Sequence, residues 1–258
     1  MPACGPGSQP GLSRLPAPPF PHSWREIVSP RMALRYNALV IITKQKPFAE
    51  ILKGVRGAQS LFIFGCGDCA TLCRTGGEAE IAAMAEKLAA EGVTVTGGTV
   101  PHTTCHELDV QRIGRQFKEE IGKSGAILVL ACGAGVQAVG DSLDKPVISG
   151  CDSLFIGNSK RQMNFYEKCS ACGDCVLNET AGLCPETRCP KGLLNGPCGG
   201  AVRGMCEVDQ TNKCVWIEIY ERLKSQGRLD GLMEITAPKE RRKANMPHKI
   251  EQPVRSAK

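Results

Sequence analysis

Residues 169–175 read Cys169-Ser170-Ala171-Cys172-Gly173-Asp174-Cys175, three thiols at two-residue intervals in a loop short enough to wrap the corner of a cube. Such a run offers three thiolates to one 4Fe–4S cluster. The usual fourth ligand, three residues later and followed by proline, is missing. Cys184-Pro185 and Cys189-Pro190 come instead, then Cys198, Cys206 and Cys214. Eight thiols within 46 residues suffice for two four-thiolate sites, and spacing alone does not say which cysteine joins which. Tetrahedral zinc also takes four thiolates, so zinc in place of one cluster is the competing reading. Structural zinc commonly uses two Cys-x2–4-Cys knuckles. Only one knuckle-like group is present, and it has three cysteines.

A second constellation is Gly65-Cys66-Gly67-Asp68-Cys69-Ala70-Thr71-Leu72-Cys73, expected where a first strand turns toward its helix. Open α/β sheets bind ligands at the carboxyl ends of their strands. Gly65-x-Gly67-x-x-Ala70 also fits a relaxed dinucleotide fingerprint, but the acidic ribose partner is absent: Thr99-Val100-Pro101-His102 stands at that place. Cys66, Cys69 and Cys73 therefore read as ligands of a further cluster. Cys132, which ends another strand and precedes Gly133-Ala134-Gly135, is the expected fourth ligand. Cys105 is the runner-up and Cys151 the third choice; each also reads as a small buried hydrophobe. No nucleophile–base pair, zinc-protease motif or P-loop appears, so no catalytic residue is assigned.

The elements that must hold these loops follow from hydrophobic periodicity. Residues 60–64, 93–96, 126–130 and 145–148 read as buried strands. A helix over 77–91 carries Ile81, Met84, Ala85 and Leu88 on one face and stops at Gly92. The next, capped by Asp109, aligns Val110, Ile113, Phe117 and Ile121. Strands alternating with helices predict an α/β fold, a small parallel sheet of the Rossmann or flavodoxin-like type, over 32–157. From 158 periodicity vanishes, which predicts a cysteine-rich, metal-stabilised domain over 158–236. It closes on a helix with Trp216, Ile219, Tyr220 and Leu223 as its stripe and Gly227 as its stop.

Composition bounds the rest. The 258 residues are 42% hydrophobic and 5% aromatic, with 29 glycines, 17 prolines and 15 cysteines. No secretory signal pattern precedes them, so the cysteines read as reduced and the chain as cytoplasmic rather than disulfide-bonded. No run of about 18 apolar residues exists, so no membrane span is expected. The net charge of +6 sits largely in a basic tail, 237–258, read as disordered rather than as a nucleic-acid site. Residues 1–31, rich in Pro, Gly and Ser, read as a disordered or non-native extension, with the patterned chain opening at Met32.

The stretch Phe64-Gly65-Cys66-Gly67-Asp68-Cys69-Ala70-Thr71-Leu72-Cys73-Arg74-Thr75-Gly76-Gly77-Glu78, the run Ala131-Cys132-Gly133-Ala134-Gly135-Val136-Gln137 and the 169–175 loop resemble the MetV family. These are small iron–sulfur subunits of acetogen-type methylenetetrahydrofolate reductases. Asn195-Gly196-Pro197-Cys198-Gly199-Gly200, Cys206-Glu207-Val208 and Cys214-Val215-Trp216 are similar to the cysteine-rich domain that ends some folate reductases. The resemblance spans about 39–227. It implies a heteromeric complex with a flavin-bearing MetF-type subunit that reduces methylene- to methyltetrahydrofolate in the Wood–Ljungdahl pathway of one-carbon metabolism. It also implies two or three 4Fe–4S clusters relaying electrons from a donor such as ferredoxin or a heterodisulfide-type complex. The alternatives are an electron-transfer subunit of another flavin or heterodisulfide-type complex, and a zinc-stabilised structural module.

Overall fold

The runs Leu61-Phe62-Ile63-Phe64 and Ala126-Ile127-Leu128-Val129 have no polar face and can only be satisfied in a sheet covered on both sides. In the computed structural model, which describes residues 40–161, 164–240 and 247–250, both runs are buried to 2% exposure or less. Contacts divide the chain into Met1–Asn37 and Ala38–Lys258, and every described residue belongs to the second unit. The readings made for 1–31 and for a start at Met32 lie outside the described residues.

In chain order the elements are β1 (Val40–Gln45), α1 (Phe48–Val55), β2 (Ser60–Phe64), the single turn α2 (Cys69–Leu72), α3 (Glu78–Ala90) and β3 (Thr94–Thr99). Then come α4 (Glu107–Gln116), α5 (Lys118–Lys123), β4 (Ala126–Val129), α6 (Gly133–Ser142) and β5 (Val147–Ser149). The chain continues through β6 (Cys151–Arg161), β7 (Asn164–Cys169), α7 (Pro185–Arg188), α8 (Val215–Ser225) and a 3-10 helix, Leu229–Met233. Strands β3-β2-β4-β5 form a parallel sheet in that order, the α/β architecture expected from the sequence. No helix among the described residues is long and apolar enough to cross a membrane.

Helix α3 buries Ile81, Met84, Ala85 and Leu88, the stripe its spacing dictates, and its first turn is closed by Glu80 accepting from the Gly77 N–H at 2.9 Å. Two details depart from the periodicity reading. Strand β3 runs to Thr99 through Gly97 and Gly98, because a side chain at Gly97 would meet the Phe62 ring at 2.9 Å and only glycine lets the strands close there. Helix α4 begins at Glu107 with His106 as its cap, while Asp109 lies in the first turn. The stripe then breaks at Phe117, whose backbone (φ −106°, ψ 33°) separates α4 from α5.

A second sheet, antiparallel in the order β1-β6-β7, lies beside the first. Strand β6 passes through residues 157 and 158 without interruption, pairing with β1 on one side and β7 on the other. Ile42 of β1 packs on Cys73, with Leu72, Phe155 and Phe165 around them, so this sheet covers the turn that follows β2. In the cysteine-rich segment, α8 supplies Val215, Trp216, Ile219 and Leu223 to a small core completed by Leu183. Tyr220, expected on that stripe, is 43% exposed.

Candidate metal centres

In the parallel sheet, the chain leaves β2 for β3 on one side and arrives at β4 on the other, so the strand order reverses between β2 and β4. Loops at the carboxyl ends of such a pair diverge and leave a crevice. The loop after β2 carries Cys66 and Cys69; the loop after β4 carries Cys132 at the N-cap of α6. Cys66 and Cys132 are each 5% exposed.

Backbone hydrogen bonds stitch this crevice. Gly65 N–H donates to Thr99 O at 2.8 Å, Cys66 N–H to Gly76 O at 2.9 Å, and Gly67 N–H to Pro101 O at 2.8 Å. Thr104, next to Cys105, donates its hydroxyl to Gly65 O. A Cβ at Gly76 would stand 1.8 Å from Leu130 O, so the turn after Cys73 can lie on the end of β4 only with glycine at that position.

Burial, then Asp68 and the Cys66 and Cys132 thiols, push the Cys69 thiol up to about 11, against a backbone hydrogen bond at Ile41 that lowers it. Cys105 is exposed as a residue, yet partial burial of its sulfur followed by Cys132 and Cys66 raises its thiol too. Cys66 and Cys132 thus lie within electrostatic reach of both Cys69 and Cys105. A metal bound by Cys69 or Cys105 must displace a thiol proton.

Cys73 donates to Ile41 O at 4.0 Å, the same residue that Cys69 meets, and packs on Ile42. Cys151 is buried, donates to Thr75 O at 3.6 Å, and has its thiol pushed up to about 12 by burial and then by Asp152, Cys73 and Cys132.

Four of the eight thiols of the cysteine-rich segment meet at one place. Cys189, Cys198, Cys206 and Cys214 line one cavity of about 20 Å³ beside Trp216. The hairpin that gathers them pairs Met205 with Val202 and Lys213, and Cys206 N–H donates to Asn212 O at 2.9 Å. The remaining four are Cys169, Cys172, Cys175 and Cys184. Helix α7, capped by Cys184, packs against β7, which ends at Cys169.

The 169–175 loop turns through Ala171 at φ 53° and Gly173 at φ 75°. Its backbone bends around its own sulfurs: Ala171 N–H donates to Cys169 Sγ at 3.3 Å, as Gly200 N–H does to Cys198 Sγ at 3.5 Å. Cys172 is the one thiol here with its pKa lowered, first by a hydrogen bond from Lys239. Nothing in the sequence marked Lys239, which was read as part of a disordered tail. The grouping of the eight cysteines was equally invisible, because it depends on how the segment folds back.

Among the described residues, no three His, Cys, Asp or Glu side chains stand in a metal-holding group as placed. The donor chemistry nonetheless fits thiophilic metal: many thiols, glycine-rich flanks, and peptide N–H groups aimed at the sulfurs of Cys169 and Cys198.

Residues 148–242 match the family model described as "Methylene-tetrahydrofolate reductase C terminal". That match relates the cysteine-rich segment, from β5 to just beyond Lys239, to methylenetetrahydrofolate reductases. No curated protein and no solved structure matches the chain.

Proposed function

We propose that the chain is the MetV-type subunit of a methylenetetrahydrofolate reductase and passes electrons to the flavin of a MetF-type partner. The observation that carries this reading is that the matched segment, 148–242, contains all eight cysteines from Cys169 to Cys214. Reducing methylene- to methyltetrahydrofolate consumes two electrons and two protons, the electrons and one proton as a hydride equivalent from a flavin and the second proton at the nitrogen freed when the bridge opens. A 4Fe–4S cluster, when bound, supplies single-electron transfer, so a donor such as ferredoxin or a heterodisulfide-type complex can load the flavin in two steps.

The chain's own residues do the holding. Cys169, Cys172, Cys175 and Cys184 would take one cluster, with the Ala171 N–H directed at Cys169 Sγ. Cys66, Cys69 and Cys132 would take another at the sheet crevice. The stitched 99–105 loop favours Cys105 as its fourth ligand over Cys73, which is committed to packing on Ile42.

One observation favours a second reading for the last group. Cys189, Cys198, Cys206 and Cys214 all line one cavity. Four thiols around one cavity are also the donor set of a tetrahedral zinc, which would stabilise the fold without carrying electrons. Anaerobic co-purification with the flavin subunit, with iron, zinc, sulfide and flavin quantified alongside electron paramagnetic resonance, tests both. The expected result is about eight irons and one zinc per chain with a reducible signal. A colourless, zinc-only preparation contradicts the relay.

A further inference from the structure

From Gln226 to Lys239 the chain stays tied to the cysteine-rich segment. Gly227 (φ 66°) ends the helix, and Arg228 donates to Asn178 O at 2.7 Å. Leu229 and Leu232 of the 3-10 helix pack on the small core under α8. Thr236 is then clamped by one side chain: Asn195 Nδ2 donates to Thr236 O at 2.9 Å, and Thr236 N–H donates to Asn195 Oδ1 at 2.7 Å. Three residues later, Lys239 Nζ donates to Cys172 Sγ at 3.0 Å and to Asp174 O at 2.6 Å.

An exposed lysine gains little from being held in one geometry, because ordering its long side chain costs about as much as a screened contact returns. Here the backbone on its amino side is already fixed by the Asn195 clamp. The ammonium meets the middle cysteine of the Cys-x2-Cys-x2-Cys run, and the Glu186 and Asp174 carboxylates lie within electrostatic reach of it.

We propose that Lys239 is a positioning residue that raises the reduction potential of the cluster held by the 169–175 run, by presenting a charged N–H donor to Cys172 Sγ. This rests on the cluster reading of the previous section. The reduced cluster carries one more negative charge than the oxidised one. A cation hydrogen-bonded to a ligand sulfur therefore stabilises the reduced form more, and the potential rises. The fold builds the contact from outside the cysteine run, so the loop sequence alone does not set the potential.

The test uses the full chain, purified anaerobically, as the unsubstituted protein and as Lys239→Met and Lys239→Arg. Iron and sulfide are counted, and midpoints are read by a redox titration followed by electron paramagnetic resonance. Lys239→Met should keep its iron but lower one midpoint, so that the reduced-to-oxidised ratio at fixed potential falls about tenfold, which is ~59 mV for one electron. Lys239→Arg keeps the charge and should stay near the original midpoint. Unchanged midpoints with full iron in Lys239→Met would overturn the proposal. So would iron loss in that variant, which would make Lys239 a peg for the strap rather than a tuner. Absence of iron from the unsubstituted chain would instead sink the cluster reading itself.

Discussion

Between Ser60 and Ser149 the chain holds its cysteine loops on a sheet buried from Leu61 to Phe64 in β2 and throughout β4, whereas between 169 and 214 the loops themselves are most of the structure. The first region closes its crevice with peptide hydrogen bonds from Gly65, Cys66 and Gly67, and would keep its shape with the thiols empty. The second is backed by five buried apolar side chains, four of them on α8 just beyond it, and three of its eight cysteines are exposed. The difference teaches where metal is a passenger and where it is part of the fold. A crevice on a preformed sheet can be loaded late. A loop segment with so little apolar burial would depend on bound metal for its stability.

Removing metal should separate the two regions most widely. Chelation or air oxidation of the anaerobic protein is expected to open 169–214 to protease while 60–149 stays intact, read by mass mapping of the cut sites. Simultaneous cleavage of both would mean one metal-dependent unit. Next in size is the loss of a whole cluster. Cys69→Ser and Cys105→Ser should each remove about four irons and spare those of the 169–214 segment, while Cys73→Ser should cost packing and keep its iron. Iron loss from Cys73→Ser with full retention in Cys105→Ser would reverse that choice of fourth ligand. Smallest is a backbone effect confined to the sheet region. Gly76→Ala drives a methyl into Leu130 O and should destabilise 60–149 by roughly 1–3 kcal/mol in denaturant unfolding. A stability equal to that of the unsubstituted chain would show that the turn is free to move.

The same contrast governs what the sequence reveals. Strands β2 and β4 were legible because both faces are buried, so each is an unbroken apolar run. The stripe of α3 was legible because one face is. Strands β1, β6 and β7 were not read: β7 is exposed at all but one position, and β6 finds its partner β1 more than a hundred residues upstream. Glycines hid the end of β3, since Gly97 serves the Phe62 ring rather than a turn. The spacing of Cys66, Cys69 and Cys132 pointed to strand ends, which is where they lie. The partition of Cys169 to Cys214 needed the Met205 hairpin and α7. Lys239 needed the Asn195–Thr236 clamp, and neither feature leaves a periodic trace.

The proposed relay runs through this chain to a flavin held by the partner subunit. The most direct test assembles the chain with its flavin partner and compares folate reduction driven by the physiological donor with reduction driven by a small dye that reaches the flavin directly. Replacing Cys172 by Ser should lower the donor-driven rate by at least tenfold and leave the dye-driven rate nearly unchanged, because only the first route passes through the 169–175 loop. Equal loss of both rates in an intact complex would contradict the relay and leave the cysteines a purely structural role.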